Sequence, residues 1–71
     1  MSDVIRIDKD VMGGTPVFSG TRVPIQTLFD YIEREETIDE FLKDFPTVKK
    51  KQVIQLLEQL KTQTLKATKA A

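Results

Sequence analysis

A chain of 71 residues leaves room for one domain, and the absence of cysteine and histidine excludes disulfides, thiolate-held zinc and the commonest neutral metal ligand. A core of this size leaves only about 3–5 kcal/mol of net stability, so association with a second copy or a partner is expected. The formal net charge of zero hides an asymmetry: residues 1–46 hold ten acidic and five basic groups, whereas residues 47–71 hold six lysines against Glu58 alone. A basic end of this kind suits an acidic partner, nucleic acid or protein, and equally suits attraction between the two ends of one fold.

Val4-Ile5-Arg6-Ile7 reads as a short first strand, with Ile5 and Ile7 on one face. Asp8-Lys9-Asp10 breaks it, and Val11-Met12 leads into a Gly13-Gly14 turn. Thr15 to Phe18 predicts a second strand, which must begin at Pro16 or lie at an edge because proline cannot donate to a ladder. Ser19-Gly20 is a two-residue turn candidate, returning through Thr21-Arg22-Val23 as a third strand. A hairpin this small is marginal alone, so residues 1–23 predict a β-arm that needs a neighbouring surface, expected on a second copy.

Residues 24–65 read as three helices. Pro24 marks the start of the first, which runs to about Arg34 with Ile25, Leu28, Phe29 and Ile32 as its apolar stripe and Tyr31 at the margin. Thr37-Ile38-Asp39-Glu40 is a capping box for the second, with Ile38, Phe41, Leu42 and Phe45 as its stripe and Pro46 as its stop. Thr47 is the expected cap of the third, whose stripe is Val53, Leu56, Leu57 and Leu60 and whose end falls at Leu60 or Leu65. Residues 66–71 offer no apolar face and predict a flexible tail. The elements therefore read as mainly α: a three-helix cluster behind a short N-terminal β-arm, with the last two helices, joined through Pro46-Thr47, as a helix-turn-helix candidate.

Catalysis is poorly provided for. Without histidine or cysteine there is no conventional triad, and neither a phosphate loop nor a dinucleotide fingerprint is present, so no enzyme is expected. The chemistry lies instead in Lys49-Lys50-Lys51 at the start of the third helix, where positive charge opposes the macrodipole. Lysines there make sense against phosphates, and the helix N-terminus itself welcomes an anion. Gln52 and Gln55 carry amides able to read adenine edges, with Gln59 further along the same polar side. A solvated lysine face, with Asp44 or Glu40 as local partners, is the plainer alternative. Arg22 is expected to anchor the arm by a bidentate pair with Asp30 or Asp44, the alternative being contact with a phosphate or a partner. Phe18 and Phe45 read as core or dimer contacts.

The segment Gly13-Gly14-Thr15-Pro16-Val17-Phe18-Ser19-Gly20-Thr21-Arg22-Val23-Pro24 resembles the signature of the family known as domain of unknown function 433, "G-G-x-P-V-x-x-G-T-R-[IV]-P". Thr37-Ile38-Asp39-Glu40 and Phe45-Pro46 resemble its later pieces, and the likeness spans roughly residues 4–60. The motif positions are Gly14, Pro16, Gly20, Thr21, Arg22 and Pro24; the lysine run lies outside the signature. The resemblance implies a mainly α fold, a three-helix homeodomain-like helix-turn-helix body with a short N-terminal β-arm that helps build a homodimer. It further implies an antitoxin of a type II toxin–antitoxin pair, similar to VapB-type antitoxins, that binds its own promoter DNA and blocks a PIN-like nuclease toxin by direct contact.

The expected function is thus a cytoplasmic, dimeric DNA-binding antitoxin with neither cofactor nor metal and no small-molecule substrate. Its third helix would lie in the major groove, and Lys61 to Ala71 would order on the toxin. The alternative is a protein-interaction module that never touches DNA. No targeting signal or membrane-spanning run is apparent, and no membrane partner is expected.

Overall fold

The computed structural model describes residues 3–69, with side chains described through residue 66. The elements in chain order are β1 (Ile5–Arg6), a tight turn over Met12–Gly14, β2 (Val17–Phe18), α1 (Ile25–Glu33), α2 (Ile38–Asp44) and α3 (Lys50–Lys69). Three helices thus follow one small antiparallel pairing. Ile5 faces Phe18 and Arg6 faces Val17.

β2 is central to the arm. On its other side the expected third strand shrinks to a single bridge between Val17 and Pro24, where Phe18 N–H donates to the Val23 carbonyl and Ile25 N–H to the Pro16 carbonyl, both at 3.0 Å. Local chemistry explains the shortening. Ser19 and Gly20 form the centre of a turn closed by Thr21 N–H on the Phe18 carbonyl at 3.0 Å, with Gly20 at φ +77°. Thr21 Oγ1 then donates to the Phe18 carbonyl and accepts from Val23 N–H, so the side chain takes contacts that a ladder would otherwise make. Pro16, lacking an N–H, ends the pairing.

The Gly13-Gly14 turn forms as expected. Thr15 N–H donates to the Met12 carbonyl at 3.2 Å across Gly13 (φ +65°) and Gly14 (φ +92°), the positive-φ pair of a type I′ turn. The strand face differs from expectation: Val4 is buried, while Ile5 is half-buried and Ile7 is 68% exposed. A strand of two residues imposes little alternation, and the inward side chain is the one that reaches the core.

Phe18, Phe41, Leu28, Val53 and Leu56 are fully buried and tie the arm to all three helices. Phe41 is the hub, with ring centroids of Phe18, Tyr31 and Phe45 at 5.9, 5.5 and 5.3 Å. The arm thus packs against its own helices through Phe18. On α1 the buried face is Ile25, Leu28 and Tyr31 rather than a stripe ending in Ile32, which is 42% exposed. Tyr31 wins because its ring packs edge-on against Phe41 and its hydroxyl donates to Asp44 Oδ2 at 2.5 Å.

α1 closes with Glu35 N–H on the Ile32 carbonyl and Glu36 N–H on the Tyr31 carbonyl, both at 2.9 Å, a Schellman pair with Glu35 at φ +61°. α2 begins as expected, with Thr37 Oγ1 accepting from Glu40 N–H at 3.0 Å. α3 does not begin at Thr47. A turn in which Val48 N–H donates to the Phe45 carbonyl buries Val48, and the cap moves to Lys49. α3 then continues to Lys69, past the end expected at Leu60 or Leu65, so residues 66–69 of the expected tail are helical; Ala70 and Ala71 lie outside the described residues.

Candidate nucleic-acid interface

The first turn of α3 contains no acidic residue. Lys49, Lys50 and Lys51 are exposed, and among the described residues none of them takes part in an ion pair. Asp44, one of their expected local partners, accepts instead from Tyr31. Positive charge at a helix N-terminus costs roughly 0.3–1 kcal/mol for each well-placed favourable group it replaces. The fold accepts that cost without local neutralisation. Gln55 and Gln59 are exposed on the same helix, and Ile54 presents an apolar side chain at 51% exposure.

Gln52 has a different role from the one its position implied. Its Oε1 accepts from Lys49 N–H at 2.9 Å, and its Nε2 donates to the Ser19 carbonyl at 2.9 Å. The first bond satisfies the backbone of the cap residue as the third-position partner in a capping box does. The second ties the start of α3 to the hairpin turn. Half-buried and bonded at both ends, Gln52 positions the start of the helix, with one amide N–H and one acceptor lone pair left over. A Gln three residues beyond the cap was the available sequence signal for the first bond; nothing local announces the second, which spans 33 residues.

The bidentate pair expected for Arg22 is not formed. Asp30 Oδ1 accepts from Gln26 Nε2 at 3.0 Å, Asp44 is held by Tyr31, and Arg22 is exposed with no ion pair or side-chain hydrogen bond among the described residues. The other motif residues set the backbone that carries it. Gly14 and Gly20 hold positive φ, Pro16 accepts from Ile25 N–H, Thr21 closes its turn, and Pro24 at φ −63° is the N-cap of α1. The result is a groove of about 570 Å³ lined by Arg6, Arg22, Thr21, Phe45, Thr47 and Pro24, among others. Arg6 is already paired, at 2.9 Å, with Asp8. The Asp10 N–H and the Arg6 guanidinium together hold the Asp8 carboxyl below its usual range.

Among the described residues there is no cluster of ligands able to hold a metal, and no helix is long and apolar enough to cross a membrane. A small three-helix protein with a β-arm folded onto its own body, and with unneutralised cations at the start of its last helix, is the class that fold and surface define. The family model described as protein of unknown function (DUF433) matches residues 5–58, and the chain belongs to that family. No curated protein and no solved structure matches it.

Proposed function

We propose that this chain is a cytoplasmic, antitoxin-like DNA-binding protein of a type II toxin–antitoxin pair, acting as a homodimer on its own promoter. The observation that carries the DNA part is the exposed, unpaired Lys49-Lys50-Lys51 at the start of α3, with Gln55 one turn further along. In this reading α3 enters the major groove N-terminus first, the lysines meet phosphate or guanine, and Gln55 reads a base edge. Two copies would place two such helices on a two-fold site.

The toxin-facing part rests on the far end of α3. From residue 58 to residue 66 every side chain is exposed, including Leu60 together with Lys61 and Lys66. A helix that leaves its own core in this way offers apolar and basic side chains to a protein surface. The PIN-like nuclease of the antitoxin account is the proposed partner there. Retardation of the duplex upstream of its own reading frame tests the first part. Co-expression with the neighbouring gene product, read as co-purification and relief of growth arrest, tests the second. A protein that co-purifies with a partner but retards no duplex would favour the interaction-module reading.

A further inference from the structure

The groove beside the α2–α3 turn has a chemistry that the helix reading leaves unused. Two arginines, Arg6 and Arg22, line it together with Thr47, and no carboxylate-bearing residue is among its lining. Arg6 is partly neutralised by Asp8, whereas Arg22 is without a partner among the described residues. Its backbone is fixed on both sides, by the Thr21 bonds and by the Val23–Phe18 bond, so the guanidinium is carried on a rigid base. An arginine so placed is a bidentate receptor for an oxyanion, carboxylate or phosphate.

The groove also adjoins the lysine run. Thr47 lies two residues before Lys49, a reach of at most about 7 Å along the chain. The Gln52–Ser19 bond brings the first turn of α3 against the residue preceding Gly20 on the groove rim. The groove that holds Arg22 and Thr47 thus borders the start of α3, where the exposed run Lys49-Lys50-Lys51 begins. Cations so grouped match a polyanion with repeating charges better than they match one carboxylate.

We infer that Arg22, seated in the groove with Thr47, is a phosphate-binding residue that grips the DNA backbone beside the segment entered by α3. It adds affinity without reading sequence. The inference rests on the reading of α3 as the groove helix, and the test separates the two.

Binding of the full chain to the upstream duplex and to an unrelated duplex of equal length is followed by fluorescence anisotropy, from about 50 to 200 mM salt. Arg22→Ala is expected to weaken both duplexes by the same factor and to flatten the salt dependence by about one unit per bound protomer. Arg22→Lys, which keeps the charge, is expected to restore the slope. Arg22→Gln retains a polar stem and repeats the Ala result should the shorter side chain disturb folding. Unchanged affinity and slope in Arg22→Ala and Arg22→Gln, while Lys50→Glu/Lys51→Glu still abolishes binding, would overturn this inference and leave the α3 reading standing. Loss confined to the upstream duplex would overturn it too, by making Arg22 a base contact. Loss of an acidic protein partner with unchanged DNA binding would assign the groove to that partner instead. A wild-type chain that binds neither duplex at low salt removes both readings.

Discussion

Gln52 Nε2 donates to the Ser19 carbonyl at 2.9 Å, joining the start of α3 to the hairpin turn. The same amide accepts from Lys49 N–H, so one side chain both caps the helix and sets where it begins relative to the arm. Removing it takes the partner from the exposed Lys49 N–H and from the part-buried Ser19 carbonyl. Gln52→Ala is expected to cost about 1–2 kcal/mol. In a chain of this size each kcal/mol lowers the melting temperature by about 4–8 °C. Gln52→Glu keeps the acceptor for Lys49 and suits the helix dipole, but sets a carboxylate oxygen against the Ser19 carbonyl, so it is expected to fall between the two. Thermal unfolding by circular dichroism checks the order; a Gln52→Ala chain as stable as wild type would contradict it.

The Tyr31–Asp44 bond makes stability depend on alkaline pH. Donation of the phenol proton to the Asp44 carboxylate raises the Tyr31 pKa above its ordinary 10.0, with desolvation adding in the same direction. A pKa higher in the folded than in the unfolded chain contributes stability that is complete below the ordinary value. That stability disappears as pH rises through the folded one. Tyr31→Phe, which keeps the ring contacts with Phe41 and Phe45, is expected to narrow its stability gap to wild type as pH climbs past 10. Denaturant midpoints measured at neutral and alkaline pH give the difference directly; a gap that stays constant would show that the bond contributes nothing through the proton.

Glu35 sits at φ +61° in the Schellman close of α1, a position where glycine is unstrained. A left-handed conformation costs a non-glycine residue about 1–2 kcal/mol, and part of the relief is offset by the greater freedom of glycine in the unfolded chain. Glu35→Gly is therefore expected to stabilise the protein by about 0.5–1 kcal/mol. Its readout is the chemical denaturation midpoint at unchanged slope, and a lower midpoint would contradict the geometry.

Most element boundaries are legible in the sequence because they are local. Pro24 begins α1, Thr37 caps α2 through Glu40 N–H, and Phe45-Pro46 ends it. The misreadings are tertiary. Ile32 satisfies the helical template on α1 yet stays exposed while Phe29 packs half-buried on the core, because Phe41 and Phe45 draw in Tyr31 instead. The Lys49 run is legible as charge, whereas the commitment of Gln52 depends on Ser19, far away in the chain. The isolation of Arg22 is equally hidden, because Asp30 and Asp44 find other donors. α3 outlasts its apolar stripe because Lys, Gln, Leu and Ala are strong helix formers that continue without burial.

The central claim is that the cations at the start of α3 serve DNA rather than the fold, and Lys50→Glu/Lys51→Glu separates those roles in one protein. Acidic residues in that first turn complement the helix dipole, each by about 0.3–1 kcal/mol. The double variant is therefore expected to melt at or above the wild-type temperature while losing retardation of the upstream duplex. A folded double variant that binds this duplex with wild-type affinity and wild-type salt dependence would contradict the account.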